Sequence, residues 1–263
     1  MQQARFRWHF SGGSSMKEVS AESAALVVTS PPYPMIAMWD EMFSSQSAAA
    51  AAALAADDGN KAFDAMHAVR DLVWQECARI LMPGGFACVN IGDAVRSMGG
   101  GFRLYPNHAR IIETFRNLGF DALPEIIWRK QTNAPNKFMG SGMLAAGAYV
   151  TLEHEFILIF RKGAKREFSA RDKDLRRAGA CFWEERNQWY SDLWDFKGIR
   201  QAAAGKQGRS RTAAFPFELA RRLILMYSLP GDLVVDPFLG TGTTGLACLA
   251  TGRDCAGCEI DPR

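Results

Sequence analysis

Short apolar runs bounded by turn residues predict seven β-strands along this chain. Three longer segments carry apolar residues at three- and four-residue spacing and end near Pro or Gly, which is typical of helices with one buried face. The alternation of the two patterns predicts an α/β fold whose sheet is largely parallel and covered on both faces. The predicted strands are RFRWHF (5–10), ALVVTS (25–30), GFACVNIG (85–92), ALPEIIWRK (122–130), EFILIFRK (155–162), DLVVD (232–236) and DCAGCEI (254–260), and the predicted helices are 61–81, 105–119 and 216–228.

Length and composition are those of an ordinary globular protein. The 263 residues suffice for one large α/β domain with an insertion, or for two small domains. No apolar run approaches the roughly 18 to 20 residues of a membrane span, and the first ten residues lack the apolar core of a secretion signal. We therefore expect a cytoplasmic protein. The alanine tract Ala48–Ala53 is interpreted as a helix or a mobile lid that carries no chemistry.

The six cysteines do not indicate a disulfide framework, because most of them lie in apolar, strand-like runs. Cys255 and Cys258 have the spacing of a redox or zinc motif, but no second pair of cysteines or histidines completes a metal site. We interpret both as buried strand residues and expect no metal.

Positive charge is concentrated in one part of the chain. Between Arg161 and Arg211 there are fourteen Lys and Arg residues against seven Asp and Glu residues, while the whole chain has a net charge of only +3. Such a basic block predicts contact with a polyanion. The tryptophans within it favour a small aromatic core beneath a solvated basic surface.

A glycine-rich turn follows the predicted strand 232–236 in GDLVVDPFLGTGTTGLACLA, residues 231–250. Gly240, Gly242 and Gly245 have the G-x-G-x-x-G spacing of a nucleotide loop, and Glu259 is placed to bind ribose hydroxyls. The loop alone is compatible with S-adenosylmethionine, a dinucleotide or a structural turn. Such a loop normally opens its domain, and here few residues follow it, so the other strands must lie upstream. This order predicts a circularly permuted fold.

A second motif, LVVTSPPYP, occupies residues 26–34. Two prolines directly after a buried strand remove backbone donors and hold an extended turn, so that carbonyl oxygens at the sheet edge stay free to accept hydrogen bonds. Tyr33 adds a flat ring at the same edge. These groups suit a planar base with an exocyclic amine, although a proline-rich turn with a packed tyrosine would look the same in isolation.

Together the two motifs resemble those of the DNA amino-methyltransferases. Ser30-Pro31-Pro32-Tyr33 stands in the place of that family's catalytic tetrapeptide, and DPFLGTGTTG is similar to its cofactor loop. The order, with the catalytic motif first and the cofactor motif last, resembles the β class, which includes many N4-cytosine enzymes of restriction-modification or orphan type. RILMPGGFACVNIGD and RTAAFPFELARRLI resemble further segments of the family.

The resemblance implies a Rossmann-like, circularly permuted methyltransferase fold that uses S-adenosyl-L-methionine and releases S-adenosyl-L-homocysteine. It divides the chain into a catalytic part (1–161), an inserted target-recognition region (162–210) and a cofactor-binding part (211–263). The implied catalytic residues are Ser30, Pro31, Pro32 and Tyr33. The implied cofactor-binding residues are Phe215, Pro216, Asp236, Pro237, Phe238, Gly240, Gly242, Thr243, Thr244 and Glu259. The implied DNA contacts are Arg171, Arg176, Arg177, Arg186 and Arg200.

The implied reaction is methyl transfer to N4 of a flipped cytosine in double-stranded DNA. Ser30 favours cytosine, because adenine-modifying relatives more often carry Asp or Asn there, and AAFPFEL resembles the N4-cytosine type. Adenine N6 stays open with the same fold and cofactor, as do a nucleic-acid-binding protein without activity and, more distantly, a dehydrogenase. A cognate restriction endonuclease, a homodimer and association with the nucleoid are further implications.

Overall fold

The computed structural model of this chain describes residues 4–130, 139–140, 146–198 and 215–260. Within these ranges lie twelve strands, and all seven predicted ones are among them. The strands are β1 Phe6–Phe10, β2 Ala24–Thr29, β3 Leu81–Ile91, β4 Ala94–Met98, β5 Gly101–Tyr105, β6 Phe120–Arg129, β7 Met139–Gly140, β8 Ala148–Tyr149, β9 His154–Lys162, β10 Leu193–Asp195, β11 Leu233–Asp236 and β12 Asp254–Glu259.

Eight α-helices lie in the same ranges, and the three predicted from spacing are α3, α4 and α7. The helices are α1 Asp40–Gln46, α2 Ala48–Ala55, α3 Gly59–Ile80, α4 Asn107–Asn117, α5 Ala170–Ala178, α6 Trp183–Trp189, α7 Phe217–Tyr227 and α8 Thr243–Thr251. The alanine tract thus forms α2, and Ala50 is fully buried. In the part of the chain that is described, no helix combines the length and apolarity needed to cross a membrane.

Eight strands form one sheet in the order β1-β12-β11-β2-β3-β9-β6-β10. The first five are parallel to one another, as predicted, and β10 is parallel to β6. The sheet is therefore largely parallel, with β9 as the exception, since it lies antiparallel between β3 and β6. The reason is that β9 starts at the edge where β6 ends, with His154 opposite Arg129, so the chain must run back across the sheet. The sheet places the C-terminal β11 beside the N-terminal β2, which confirms the permuted fold.

The core occupies both faces of this sheet. Val27 and Val235 pack on the side of α3 and α4, whereas Leu26 and Val234 pack on the side of α7 and α8. Successive side chains of a strand point to opposite faces, so burial on both sides explains why these strands are apolar at every position. The cysteines of β12 are buried, as predicted.

The predicted recognition region contributes to the main sheet. Its strand β10 extends the sheet beside β6, and Trp194 is only 1% exposed in the core. Trp189 at the end of α6 is also buried, while Trp183 is 70% exposed. Two of the three tryptophans in this region are therefore buried, as the expected small aromatic core requires. The boundaries of the region, 162 and 210, stay a prediction.

Candidate active site

The two sequence motifs meet at one edge of the sheet. Val235 of β11 lies in register with Val27 of β2, and the strands are parallel. The segments that follow them, Ser30–Tyr33 and Asp236–Gly242, therefore emerge side by side at their carboxyl ends. This is the edge at which open α/β sheets bind ligands, and we call it the catalytic edge.

Asp236 joins both motifs from inside the protein. One oxygen of its carboxylate accepts hydrogen bonds from Thr29 Oγ1 at 2.6 Å and from the Phe238 amide at 3.0 Å, and the other accepts one from Thr244 Oγ1 at 2.6 Å. Burial raises the pKa of this carboxyl to about 6. Asp236 and Thr244 are buried and hold the glycine loop from inside the protein, and their assignment to the cofactor stays a prediction.

The glycine loop is held open toward the catalytic edge. Gly240 and Gly242 have φ angles of +54° and +82°, a region that other residues adopt only with strain. The Gly240 amide donates to Glu259 Oε2 at 2.8 Å, so the carboxylate predicted to bind ribose lies beside the loop. A Cβ atom on Gly242 would meet no protein atom within 4 Å. The loop therefore presents backbone and one carboxylate to an open space.

Two further glycines, which sequence reasoning missed, let the loop lie close to its neighbours. A Cβ on Gly13 would come within 2.6 Å of the Pro237 carbonyl oxygen, and one on Gly257 would come within 2.7 Å of the Leu239 side chain. Only the close approach in three dimensions reveals this need, since neither glycine belongs to a recognisable spacing. Phe215 and Pro216 lie at the start of α7 and are buried there.

The tetrapeptide Ser30–Tyr33 carries a polar cluster at the catalytic edge. Tyr33 donates its hydroxyl hydrogen to Glu155 Oε2 at 2.9 Å, and the Ser30 and Tyr33 hydroxyl oxygens lie 3.2 Å apart. Asn90 donates to Tyr33 Oη at 2.9 Å and to Glu155 Oε2 at 2.7 Å. Lys130 forms an ion pair with Glu155 Oε1. We call these five side chains the Ser30–Glu155 cluster.

Sequence reasoning found Ser30 and Tyr33 but missed Asn90, Glu155 and Lys130. Each of the three lies at the catalytic edge, in or directly after a strand. A polar residue in or next to an otherwise apolar strand was the signal in the sequence that could have identified them. Burial and the negative charge of Glu155 raise the pKa of Tyr33 well above its usual value, so its hydroxyl stays protonated at neutral pH.

A buried arginine supports the glycine loop from the side of α3. The Arg70 guanidinium lies between the rings of Phe43 and Phe238, 4.6 and 4.9 Å from their centroids, and is 3% exposed. Burial lowers its pKa to about 9. The cation–π contacts connect Phe43 of α1 to the glycine loop.

The predicted DNA-contacting arginines do not lie at the catalytic edge. Arg171, Arg176 and Arg177 are exposed on α5, and Arg186 is exposed on α6. These helices follow β9, whose nine residues cross the sheet over about 25 to 30 Å. Residues of α5 and α6 line one cavity of about 840 Å³ together with residues at the amino ends of β2 and β3, so these helices lie toward the opposite edge of the sheet. Arg200 lies outside the described residues.

Comparisons with known proteins agree with this arrangement. A family model described as DNA methylase, of the N6 and N4 type, matches residues 24–263. The Type II methyltransferase M.MthZI of Methanothermobacter thermautotrophicus is 52% identical over 258 residues, which cover 97% of this chain and 73% of that protein. The Type II methyltransferase M.MjaI of Methanocaldococcus jannaschii is 48% identical over 263 residues, which cover 96% of this chain and 86% of that protein.

Solved structures show the same fold. A protein of Thermus thermophilus described as a candidate DNA modification methylase was crystallised with S-adenosyl-L-methionine and is 31% identical, with a TM-score of 0.73 over 98% of this chain and 90% of that one. PvuII DNA methyltransferase, a cytosine-N4-specific enzyme, has a TM-score of 0.63 over 99% of this chain and 84% of that one. Its sequence identity of 20% supports the fold alone. The open glycine loop and the Glu259 carboxylate fit the cofactor's adenosyl group. The chain therefore belongs to the DNA methylases, as an S-adenosylmethionine-dependent DNA amino-methyltransferase of the β class.

Proposed function

We propose that this protein methylates the exocyclic N4 of a cytosine flipped out of duplex DNA. The observation that carries the proposal is a partly buried serine, and not a carboxylate, at position 30 of the catalytic edge. Ser30 has a partner in the Tyr33 hydroxyl and keeps acceptor capacity for one amine hydrogen. The Type II methyltransferase names of the relatives support a role in a restriction-modification system.

The tetrapeptide is proposed to act by positioning the base. The amine's lone pair is delocalised into the ring, and acceptors that hold its hydrogens favour the pyramidal, nucleophilic form. Ser30 Oγ and a carbonyl of Pro31 or Pro32 supply those acceptors, and the Tyr33 ring supplies a face for stacking. S-adenosylmethionine supplies the methyl group as a sulfonium, so the protein needs to orient the amine and exclude water.

The cofactor is proposed to lie across the carboxyl ends of β2, β11 and β12. Glu259 would accept hydrogen bonds from the ribose hydroxyls, and the backbone at Gly240 and Gly242 allows close approach. Asp236 and Thr244 hold that backbone in place from below. The remaining predicted cofactor residues complete this site. Thr243 begins α8, and apolar surface comes from Phe215, Pro216, Pro237 and Phe238.

Nucleoside mass spectrometry of DNA treated with the protein and S-adenosylmethionine tests the base assignment. We expect N4-methylcytosine, because a neutral hydroxyl faces the amine at position 30. Treated DNA that contains N6-methyladenine alone would reject cytosine and leave the family and the cofactor unchanged. Sequencing of the methylated positions would give the recognition site.

DNA contact at the catalytic edge should depend on Arg129 more than on the predicted arginines of α5. Arg129 ends β6 at this edge and is 58% exposed, whereas Arg177 is 79% exposed at the far side of the sheet. We expect Arg129→Glu to weaken DNA binding about tenfold at low salt, since a phosphate contact is lost and repulsion is added. Arg177→Glu is the matched control, with less than twofold change in a fluorescence anisotropy titration.

The opposite ranking would show that α5 reaches the duplex. In that case Arg176→Glu combined with Arg177→Glu would weaken binding strongly and leave cofactor affinity intact. DNA contact by Arg171, Arg176, Arg177 and Arg186 stays a prediction, which their distance from the catalytic edge does not favour.

A further inference from the structure

The Ser30–Glu155 cluster forms a hydrogen-bonded chain with one direction. A carboxylate can only accept, so Tyr33 donates its hydrogen to Glu155 Oε2, 2.9 Å away. The Tyr33 oxygen accepts from Asn90 at 2.9 Å, and its second lone pair can accept from Ser30, 3.2 Å away. With the Ser30 hydrogen directed inward, the outer lone pair of Ser30 Oγ is left for the substrate amine. The chain therefore leads from the catalytic edge to a carboxylate.

Methylation of an amine requires a group that accepts a proton from the nitrogen. When the amine nitrogen takes the methyl group, the nitrogen–carbon bond forms with the lone pair, and the carbon–sulfur bond breaks with its electrons left on sulfur. The nitrogen then carries the methyl group, two hydrogens and a positive charge. One proton must leave before the product amine is neutral, so a group at the catalytic edge has to accept it.

We propose that Glu155 is the acceptor of this proton, which reaches it through Ser30 and Tyr33. The amine proton moves to Ser30 Oγ as the Ser30 hydrogen moves to Tyr33 Oη and the Tyr33 hydrogen moves to Glu155 Oε2. Both hydroxyls are restored, Glu155 becomes a carboxylic acid, and charge and atoms balance. The inference rests on the proposed amine methylation but applies equally to cytosine N4 and adenine N6.

The surroundings of Glu155 suit this role. Its side chain is only 12% exposed, which keeps bulk water away from the chain of hydroxyls. Lys130 and Asn90 stabilise its charged form before the reaction. Lys130 is 37% exposed, so the proton can leave to solvent on that side after turnover. The high pKa of Tyr33 means that the tyrosine passes a proton on and does not keep a negative charge.

Two conservative variants separate the proton path from positioning. Tyr33→Phe keeps the ring for stacking and removes the hydroxyl. Glu155→Gln keeps an oxygen that can accept from Tyr33 but cannot take a proton. The readout is the single-turnover rate of tritiated methyl transfer from labelled S-adenosylmethionine to DNA, measured in H2O and in D2O, together with S-adenosylhomocysteine and DNA affinities.

We expect each variant to lower the rate about 100-fold, the lower end of the range that general acid–base catalysis contributes, with both affinities within about twofold of wild type. The double variant should be no slower than the slower single variant, because both changes break one chain. The wild-type rate should fall in D2O, and this solvent isotope effect should shrink in Tyr33→Phe. Glu22→Gln, an exposed glutamate that pairs with Lys162 at the opposite edge of the sheet, is the matched control and should keep the wild-type rate.

A wild-type rate in either variant, or effects that multiply in the double variant, would overturn the proton path. The outcome is separable from the base assignment. A product of N6-methyladenine would correct the base, and the same rate comparisons would still decide whether Glu155 receives the proton.

Discussion

Ser30→Ala is expected to slow methyl transfer about a hundredfold, or about 2.7 kcal/mol, while S-adenosylhomocysteine affinity stays within about twofold. The hydroxyl is the side chain proposed to hold an amine hydrogen, and its loss also interrupts the chain of hydroxyls that ends at Glu155. Its oxygen contributes to positioning the amine in the transition state more than to binding the cofactor. Single-turnover rates and isothermal titration calorimetry separate the two quantities.

Ser23→Ala is the matched control for this change. Ser23 stands just before β2, at the opposite end of the strand from Ser30, and its exposed hydroxyl donates to the Ser20 carbonyl oxygen. We expect wild-type turnover in this variant. If Ser30→Ala also retains wild-type turnover, or if it loses cofactor affinity as strongly as rate, the assignment of Ser30 to the amine is wrong.

Gly242→Val should lower S-adenosylhomocysteine affinity at least tenfold, or about 1.4 kcal/mol. The new side chain would point into the open space at the catalytic edge where no protein atom lies within 4 Å. The φ angle of +82° adds a conformational cost of about 1 to 3 kcal/mol to folding. The affinity is therefore measured by calorimetry at a temperature at which thermal unfolding shows the variant to be folded.

Gly252→Val separates backbone strain from steric occlusion. Gly252 ends the same helix α8 with a φ of +73°, and a Cβ there also meets no atom within 4 Å. It lies near the amino ends of β11 and β12, far from the catalytic edge. We expect a similar loss of stability with unchanged cofactor affinity. Equal affinity losses in the two variants would show that strain alone is responsible and that the cofactor does not approach Gly242.

Hydrophobic spacing was sufficient to predict seven strands of the main sheet and three of the helices that pack on it. Strands buried on both faces, such as β2 and β11, must be apolar at every position, and α3 must carry an apolar stripe on its buried side. Each of these requirements acts on neighbouring residues, so it is readable along the chain. The same holds for the order of the two motifs, which predicted the permuted fold and the family.

The contacts that complete the site depend on strands brought together from distant positions. Glu155 meets Tyr33 only because β9 runs antiparallel beside β3, and these residues are 122 positions apart. The carboxylate of Asp236 joins the two motifs because Thr29 and Thr244, from distant parts of the chain, both donate hydrogen bonds to it. The basic residues of α5 were predicted to contact DNA from their charge and from their place in the predicted recognition region, and neither says at which edge of the sheet a helix lies.

The sequence by itself determined the element types, the permuted order and the two motifs, because these follow from local periodicity and from residue types at fixed spacing. The tertiary structure decided the direction of β9, the enclosure of Asp236, the placement of α5 and the partners of Tyr33. Those features depend on which strand ends share an edge and on how side chains pack there, and no single segment of the chain contains that information.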